Sequence, residues 1–107
     1  MSRTGRCLCG AVSYSVEGDP IATAVCHCEH CQRQSGSAFS VNLMVHESQL
    51  TVDGEMGTYE EMGERGDAVY VRRRFCGNCG SALISELVQA NGMVAVKVGT
   101  LDDKSDI

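Results

Sequence analysis

Aromatic side chains are scarce in this 107-residue chain, which has two Phe, three Tyr and no Trp. A core built around large buried rings is therefore excluded, and the length leaves room for one modest core in a single domain spanning 1–107. Proline occurs once, at Pro20. Long apolar runs are missing: none approaches the roughly 18 residues of a membrane-spanning helix. Met1-Ser2-Arg3-Thr4-Gly5-Arg6 opens the chain without the apolar stretch of a signal peptide, so neither membrane nor export is expected and the cytoplasm is. Positive charge is in deficit as well. Nine Lys and Arg face fourteen Asp and Glu, for a formal net charge of -5, and a surface of that sign repels a phosphate backbone, which argues against nucleic acid as partner. Helical periodicity is almost absent, and no stretch reads as a linker.

What is present is alternation. Val12, Tyr14 and Val16 interleave with Ser13, Ser15 and Glu17, the pattern of a half-buried strand that Glu17-Gly18-Asp19-Pro20 then breaks. Ile21 to Val25 forms a short apolar run, and Phe39, Val41, Leu43 and Val45 alternate with Ala38, Ser40, Asn42 and Met44. Further strands are expected at Leu50 to Val52, Thr58 to Glu60 and Val69 to Phe75, and at Ser81 to Val88 paired with Met93 to Val98 near the hairpin dipeptide Asn91-Gly92. One short helix is expected from Glu29 to about Gln34, stopped by Ser35-Gly36, with a further turn at His46 to Gln49. The sum is a mainly β domain of roughly seven to nine short strands.

Cysteine is abundant, with seven residues in three groups: Cys7-Leu8-Cys9, Cys26-His27-Cys28-Glu29-His30-Cys31 and Cys76-Gly77-Asn78-Cys79. An odd number cannot pair completely, and close spacing in a reducing compartment points to metal ligands rather than disulfides. Phe75-Cys76-Gly77-Asn78-Cys79-Gly80 has the pattern of a zinc knuckle, with Gly77, Asn78 and Gly80 able to take a tight turn that aims backbone N–H groups at the sulfurs. A structural zinc takes four thiolates at about 2.3 Å. Cys7 and Cys9 are suited to complete it, since residues i and i+2 of a strand project to one face. The competing reading is that these are buried cysteines acting as small hydrophobes.

Cys26, Cys28 and Cys31 then remain without a fourth cysteine. Cys26 and Cys28 share a strand-like face with His27 directed away, and a short helix brings Cys31 back beside Cys28, its N-terminus favouring thiolate. Zinc on three protein ligands keeps one position open, which distinguishes a catalytic from a structural site. His27 or His30 could instead close it as a fourth ligand, and a redox pair at Cys28 and Cys31 is a third reading. Arg33, Ser35 and Gly36 follow directly and would hold the carboxylates of a small anionic ligand if the helix ends beside the open position. Arg72 and Arg74 share one face of their strand and read as a solvated edge or a counter-charge, more than as such a clamp. Lys97, Asp102 and Asp103 read as surface or turn residues.

Taken together, Gly5-Arg6-Cys7-Leu8-Cys9-Gly10-Ala11-Val12-Ser13-Tyr14, Cys26 to Phe39, Phe75 to Leu83 and Val94 to Asp103 resemble, over nearly the whole chain, the glutathione-dependent formaldehyde-activating enzyme family, also named for centromere protein V. The resemblance implies a β-tent fold of several small coiled antiparallel sheets around a structural zinc, with one short helical turn. It implies two Zn²⁺ ions: a structural one on Cys7, Cys9, Cys76 and Cys79, and a catalytic one on Cys26, Cys28 and Cys31. The implied activity is carbon–sulfur lyase chemistry that joins glutathione and formaldehyde into S-hydroxymethylglutathione and reverses it. Family members usually run some tens of residues beyond the Gly99-Thr100-Leu101-Asp102-Asp103 motif into an aromatic-bearing strand, whereas this sequence stops at Lys104-Ser105-Asp106-Ile107. The expectation is a pocket left open, or covered by a second subunit in a homo-oligomer.

Three functions compete at this point. One is a zinc-dependent lyase acting on a small thiol and a small aldehyde. Another is a non-catalytic zinc module that captures a thiol or a partner protein, and the last is a structural protein with two closed zinc sites. An exchangeable fourth position separates the first two from the third, and turnover separates the first from the second.

Overall fold

Alternation along the chain becomes strands, which pair edge to edge through their backbones and turn their apolar faces to a shared core. The computed structural model describes residues 2–63, 66 and 68–107. In chain order it contains β1 (Ser2–Arg6), β2 (Ser13–Glu17), β3 (Ala22–Cys26), α1 (Glu29–Ser35), β4 (Ser40–His46), β5 (Leu50–Asp53), β6 (Met56–Met62), β7 (Val69–Cys76), β8 (Ala82–Leu87) and β9 (Met93–Lys97). Single 3-10 turns follow β4 at Glu47–Gln49 and β9 at Val98–Thr100. Two sheets result, both antiparallel: a three-stranded one in the order β1-β2-β5 and a six-stranded one in the order β3-β4-β9-β8-β7-β6.

The core lies between them. Val12, Tyr14 and Val16 supply one side, as their alternation predicts, and Leu43, Val45, Ile84, Val94 and Val96 supply the other. Each such aliphatic side chain removed from water contributes on the order of 1.5–3 kcal/mol. Cys7 and Cys76 belong to this same buried cluster, so the core reaches the cysteine turns directly.

Because side chains alternate, the residues between those core positions face the other way. Asn42 and Met44 of β4, Ala95 and Lys97 of β9, Ser85 and Leu87 of β8, and Val71 and Arg73 of β7 all line a cavity on the far face of the six-stranded sheet. On β4, Ser40 and Asn42 are buried together with Leu43 and Val45, while Phe39 just before it is exposed.

Three local outcomes differ from the sequence reading. β1 carries no apolar alternation, yet it pairs along its length with β2. Gly5 makes this work, because a Cβ there would collide with the Tyr14 ring and hydroxyl, and Tyr14 then reaches Thr100 Oγ1 at 2.7 Å. Cys7 and Cys9 sit in the turn after β1 and not on a strand. Asn91 and Gly92 do take left-handed φ of 51° and 83°, but they close a longer β8–β9 connection that also turns through Ala90 N–H to Leu87 O at 3.0 Å.

The end of the described chain is pinned to its start. Arg3 forms a two-pronged ion pair with Asp106 at 2.6 and 3.0 Å, and Thr4 Oγ1 donates to Asp102 at 2.7 Å. Asp102 is exposed, as expected of a surface residue.

Candidate functional site

Cys7, Cys9, Cys76 and Cys79 come together as one group of free thiols with all sulfurs within 4.8 Å of each other. The convergence the sequence predicts is present, but its cause is different. Cys7 and Cys9 are brought to one side by the turn Cys7-Leu8-Cys9-Gly10, closed by Gly10 N–H to Cys7 O at 3.2 Å, and their sulfurs stand 3.6 Å apart. Cys9 and Cys76 sulfurs are 3.7 Å apart. A tetrahedron with 2.3 Å arms has edges of about 3.8 Å, so the spacing fits zinc.

The surroundings fit it as well. Backbone N–H groups of Asn78 and Cys79 both reach Cys76 Sγ at 3.4 Å, Val12 N–H reaches Cys7 Sγ at 3.4 Å, and Asn78 Nδ2 reaches Cys9 Sγ at 3.2 Å. Donors of this kind stabilise thiolate. In the knuckle only Gly80 needs a left-handed backbone, with φ 81°. Hydrogen bonds from Ser81, first its side chain and then its backbone, bring the Cys79 thiol down to about 5.

The second group, Cys26, Cys28 and Cys31, is built from adjoining elements. Cys26 ends β3, Cys28 caps the N-terminus of α1 by accepting from Cys31 N–H at 3.3 Å, and Cys31 lies in the first helical turn. Their sulfurs also lie within 4.8 Å of one another, and among the described residues no His, Asp or Glu joins them. His27 packs against the Phe39 ring at 5.3 Å, and His30 Nδ1 pairs with Glu61 Oε2 at 3.0 Å. Both histidines thus have other partners than the cysteines.

Burial opposes ionisation of Cys31, but hydrogen bonds from Cys28, Cys26, Ser40 and Arg73 outweigh it and bring its thiol down to about 7. Cys28 moves the other way, held up chiefly by its hydrogen bond with Cys31. Neighbouring sulfurs cannot all ionise without a cation between them, and soft thiolate sets of this kind select zinc or another thiophilic ion.

All three cysteines open onto the cavity, whose volume is about 610 Å³, within the range of small-molecule sites. Its lining combines polar Asn42, Arg73, Ser85 and Lys97 with apolar Met44, Met62, Tyr70 and Leu87.

Arg33, Ser35 and Gly36 are not among the cavity-lining residues. Arg33 is exposed and pairs with Glu29 one turn back at 2.8 Å, Ser35 Oγ reaches only Gln32 O at 3.5 Å, and Gly36 closes α1 with φ 67°. Arg72 and Arg74 do share a face, but it is the one turned from the cavity, and they pair with Glu60 and Glu86. The middle arginine turns inward. Arg73 is 5% exposed and held by Glu61 at 2.8 Å. Lys97 is not a surface residue either: it is nine-tenths buried on the cavity floor. For Lys97 the signal was alternation, since Val94 and Val96 face the core and so direct Ala95 and Lys97 to the other side.

The family model of the glutathione-dependent formaldehyde-activating enzyme matches residues 2–107, and the chain belongs to that family. No curated protein matches it. Among solved structures, it is similar to a crystal structure of a Rhodobacter sphaeroides protein, a Northeast Structural Genomics target, with 23% identity and a TM-score of 0.75 over 96% of this chain and 91% of that one. That likeness shows the fold.

Proposed function

We propose that this chain is a carbon–sulfur lyase of the S-hydroxymethylglutathione synthase type, which joins the sulfur of glutathione or a similar small thiol to a small aldehyde and runs the reaction in reverse. The observation that carries the reading is the contrast between two cysteine groups, one complete and turned toward the core, the other one ligand short and opening on a cavity. We assign one structural Zn²⁺ to Cys7, Cys9, Cys76 and Cys79 and one catalytic Zn²⁺ to Cys26, Cys28 and Cys31. Bound there, the second ion would supply Lewis-acid stabilisation of the thiolate form of a substrate thiol.

The chain's own residues do the rest. The cavity floor is buried at Asn42, Arg73 and Ser85, which strengthens charge interactions made against it. Arg73, locked by Glu61, adds fixed positive charge beside Cys31. Arg33, Ser35 and Gly36 lie outside this cavity, so contacts between them and the charged ends of glutathione require the tripeptide to extend past α1.

Calorimetry with glutathione and S-methylglutathione on zinc-loaded protein tests the reading, together with exchange NMR of S-hydroxymethylglutathione. Glutathione should bind at least tenfold more tightly than its methylated form, which cannot become a thiolate, and interconversion should exceed the spontaneous rate. Equal affinities would overturn the thiolate mechanism. Tight thiol binding without acceleration would make the chain a thiol-capturing module instead.

A further inference from the structure

Two polar groups on the cavity floor lack the partners their burial calls for. Lys97 is nine-tenths buried, yet among the described residues its Nζ donates a single hydrogen bond, to Asn42 Oδ1 at 2.9 Å, of the three an ammonium can make. Asn42 is fixed in that task, because its Nδ2 donates to Ser40 Oγ at 3.0 Å and to Ala24 O at 3.3 Å. The carboxylate on this cavity, Glu61, is engaged on both oxygens, one by Arg73 and the other by His30. Ser85 is 3% exposed, and among the described residues its hydroxyl has no partner.

The sheet places these groups in order. Cys26 lies opposite Ser40, Asn42 opposite Lys97, and Ser85 opposite Ala95, two residues from Lys97 on the same face. A buried cation with unused donors and a buried hydroxyl with none in use, beside the three cysteines, are costly as they stand. They suit an oxygen that gains negative charge in the cavity.

We propose that Lys97, positioned by Asn42 and aided by the Ser85 hydroxyl, is a catalytic residue that holds the aldehyde oxygen and gives it a proton as the thiol sulfur adds to the carbonyl carbon. The inference rests on the lyase reading above. In the forward direction the sulfur electron pair forms the S–C bond, the C=O π pair moves onto oxygen, and that oxygen takes a proton from the Lys97 ammonium. The proton given up by the thiol returns through solvent to Lys97. In reverse, the neutral amine takes the hydroxyl proton as the S–C bond breaks. Preorganised donors at such an oxygen act most strongly in a site shielded from water.

The test compares zinc-loaded wild type with Lys97→Met, Lys97→Gln and Ser85→Ala for zinc content, calorimetric glutathione affinity and S-hydroxymethylglutathione exchange by NMR. Lys97→Met should keep its zinc, bind glutathione within about threefold of wild type, and lose roughly 100-fold in turnover at saturating thiol, the range of a lost proton donor. Ser85→Ala should lose less. Lys97→Gln keeps a hydrogen bond to Asn42 without the charge, and stands in if the Met variant does not fold. Unchanged turnover in a folded Lys97 variant overturns the proposal while leaving the lyase reading intact. Glutathione affinity falling tenfold or more with turnover at saturation unchanged would make Lys97 a carboxylate anchor, and loss of zinc from the three-cysteine group would make it a counter-charge to the metal; either result overturns it. Wild-type exchange no faster than the spontaneous reaction removes the lyase reading and this proposal with it.

Discussion

The two cysteine groups use the same ligand atom in opposite settings. The four-cysteine group joins turns separated by 67 residues, and two of its members, Cys7 and Cys76, are 2% and 1% exposed within the main core. The three-cysteine group lies within residues 26–31, contributes nothing to that core, and leaves Cys28 exposed. A cross-link across a long loop removes more unfolded-chain entropy than one across a short loop. A metal in the first group is thus coupled to folding of both sheets, and a metal in the second only to the ordering of α1 and the end of β3. Chemistry belongs where removal and replacement of a ligand do not endanger the fold.

The largest expected effect breaks this comparison directly. Cys79→Ser should leave the chain unfolded or severely destabilised, because binding free energy at a structural zinc, on the order of 10 kcal/mol, is folding free energy. Cys28→Ser should stay folded with about one zinc and lose only a few degrees in melting temperature. Circular dichroism melts and metal analysis of both variants decide between the outcomes. Equal collapse of the two would mean that the local group is structural as well.

How much of this was legible in the sequence depended on whether a residue's role was set by its neighbours in the chain or by its neighbours across a sheet. The grouping of the cysteines, the length of α1 and most strands follow from local spacing, and they are found where the spacing puts them. β1 was missed because Ser2-Arg3-Thr4-Gly5-Arg6 has no apolar pattern; its strand character comes from pairing with β2 and from Tyr14 covering Gly5. The run Arg72-Arg73-Arg74 has no internal contrast from which to read a face. Its orientation is set by register, with Arg72 opposite Glu86, Arg73 opposite Ser85, and irregular pairing on either side. Arg73 was therefore the least visible beforehand, whereas the face of Lys97 could have been read from the alternation of Val94 and Val96.

A smaller effect sharpens the comparison through pH. Cys79 is depressed from 9.0 to about 5 and Cys31 from 9.0 to about 7. A depressed thiol stabilises the folded state above its unfolded value, and that contribution fades as pH falls through the folded value. The three-cysteine group is also one ligand short and leaves Cys28 exposed. Slow acidification of the two-zinc protein, followed with a chromophoric zinc indicator, should therefore release the equivalent on that group before the second, with unfolding accompanying only the second. A chelator at neutral pH should give the same order. Release of both in one step would contradict the division into an open and a closed site.

The smallest expected effect concerns the exposed end of α1. Arg33 is well placed by sequence to meet a carboxylate of glutathione, and losing such a contact would cost about 1.5–3 kcal/mol, tenfold or more in affinity. The structure gives that guanidinium a different setting: it projects from α1 into solvent, pairs with Glu29 four residues earlier, and lies outside the cavity lining. Exposed pairs of this spacing contribute about 0.3–0.5 kcal/mol to stability. Arg33→Ala should accordingly lower stability by no more than that and leave glutathione affinity within about threefold, while Lys97→Met changes turnover far more. A calorimetric loss of tenfold or greater for Arg33→Ala would show that the bound thiol extends out of the cavity and across the end of α1, moving the specificity of the site from the sheet to the helix.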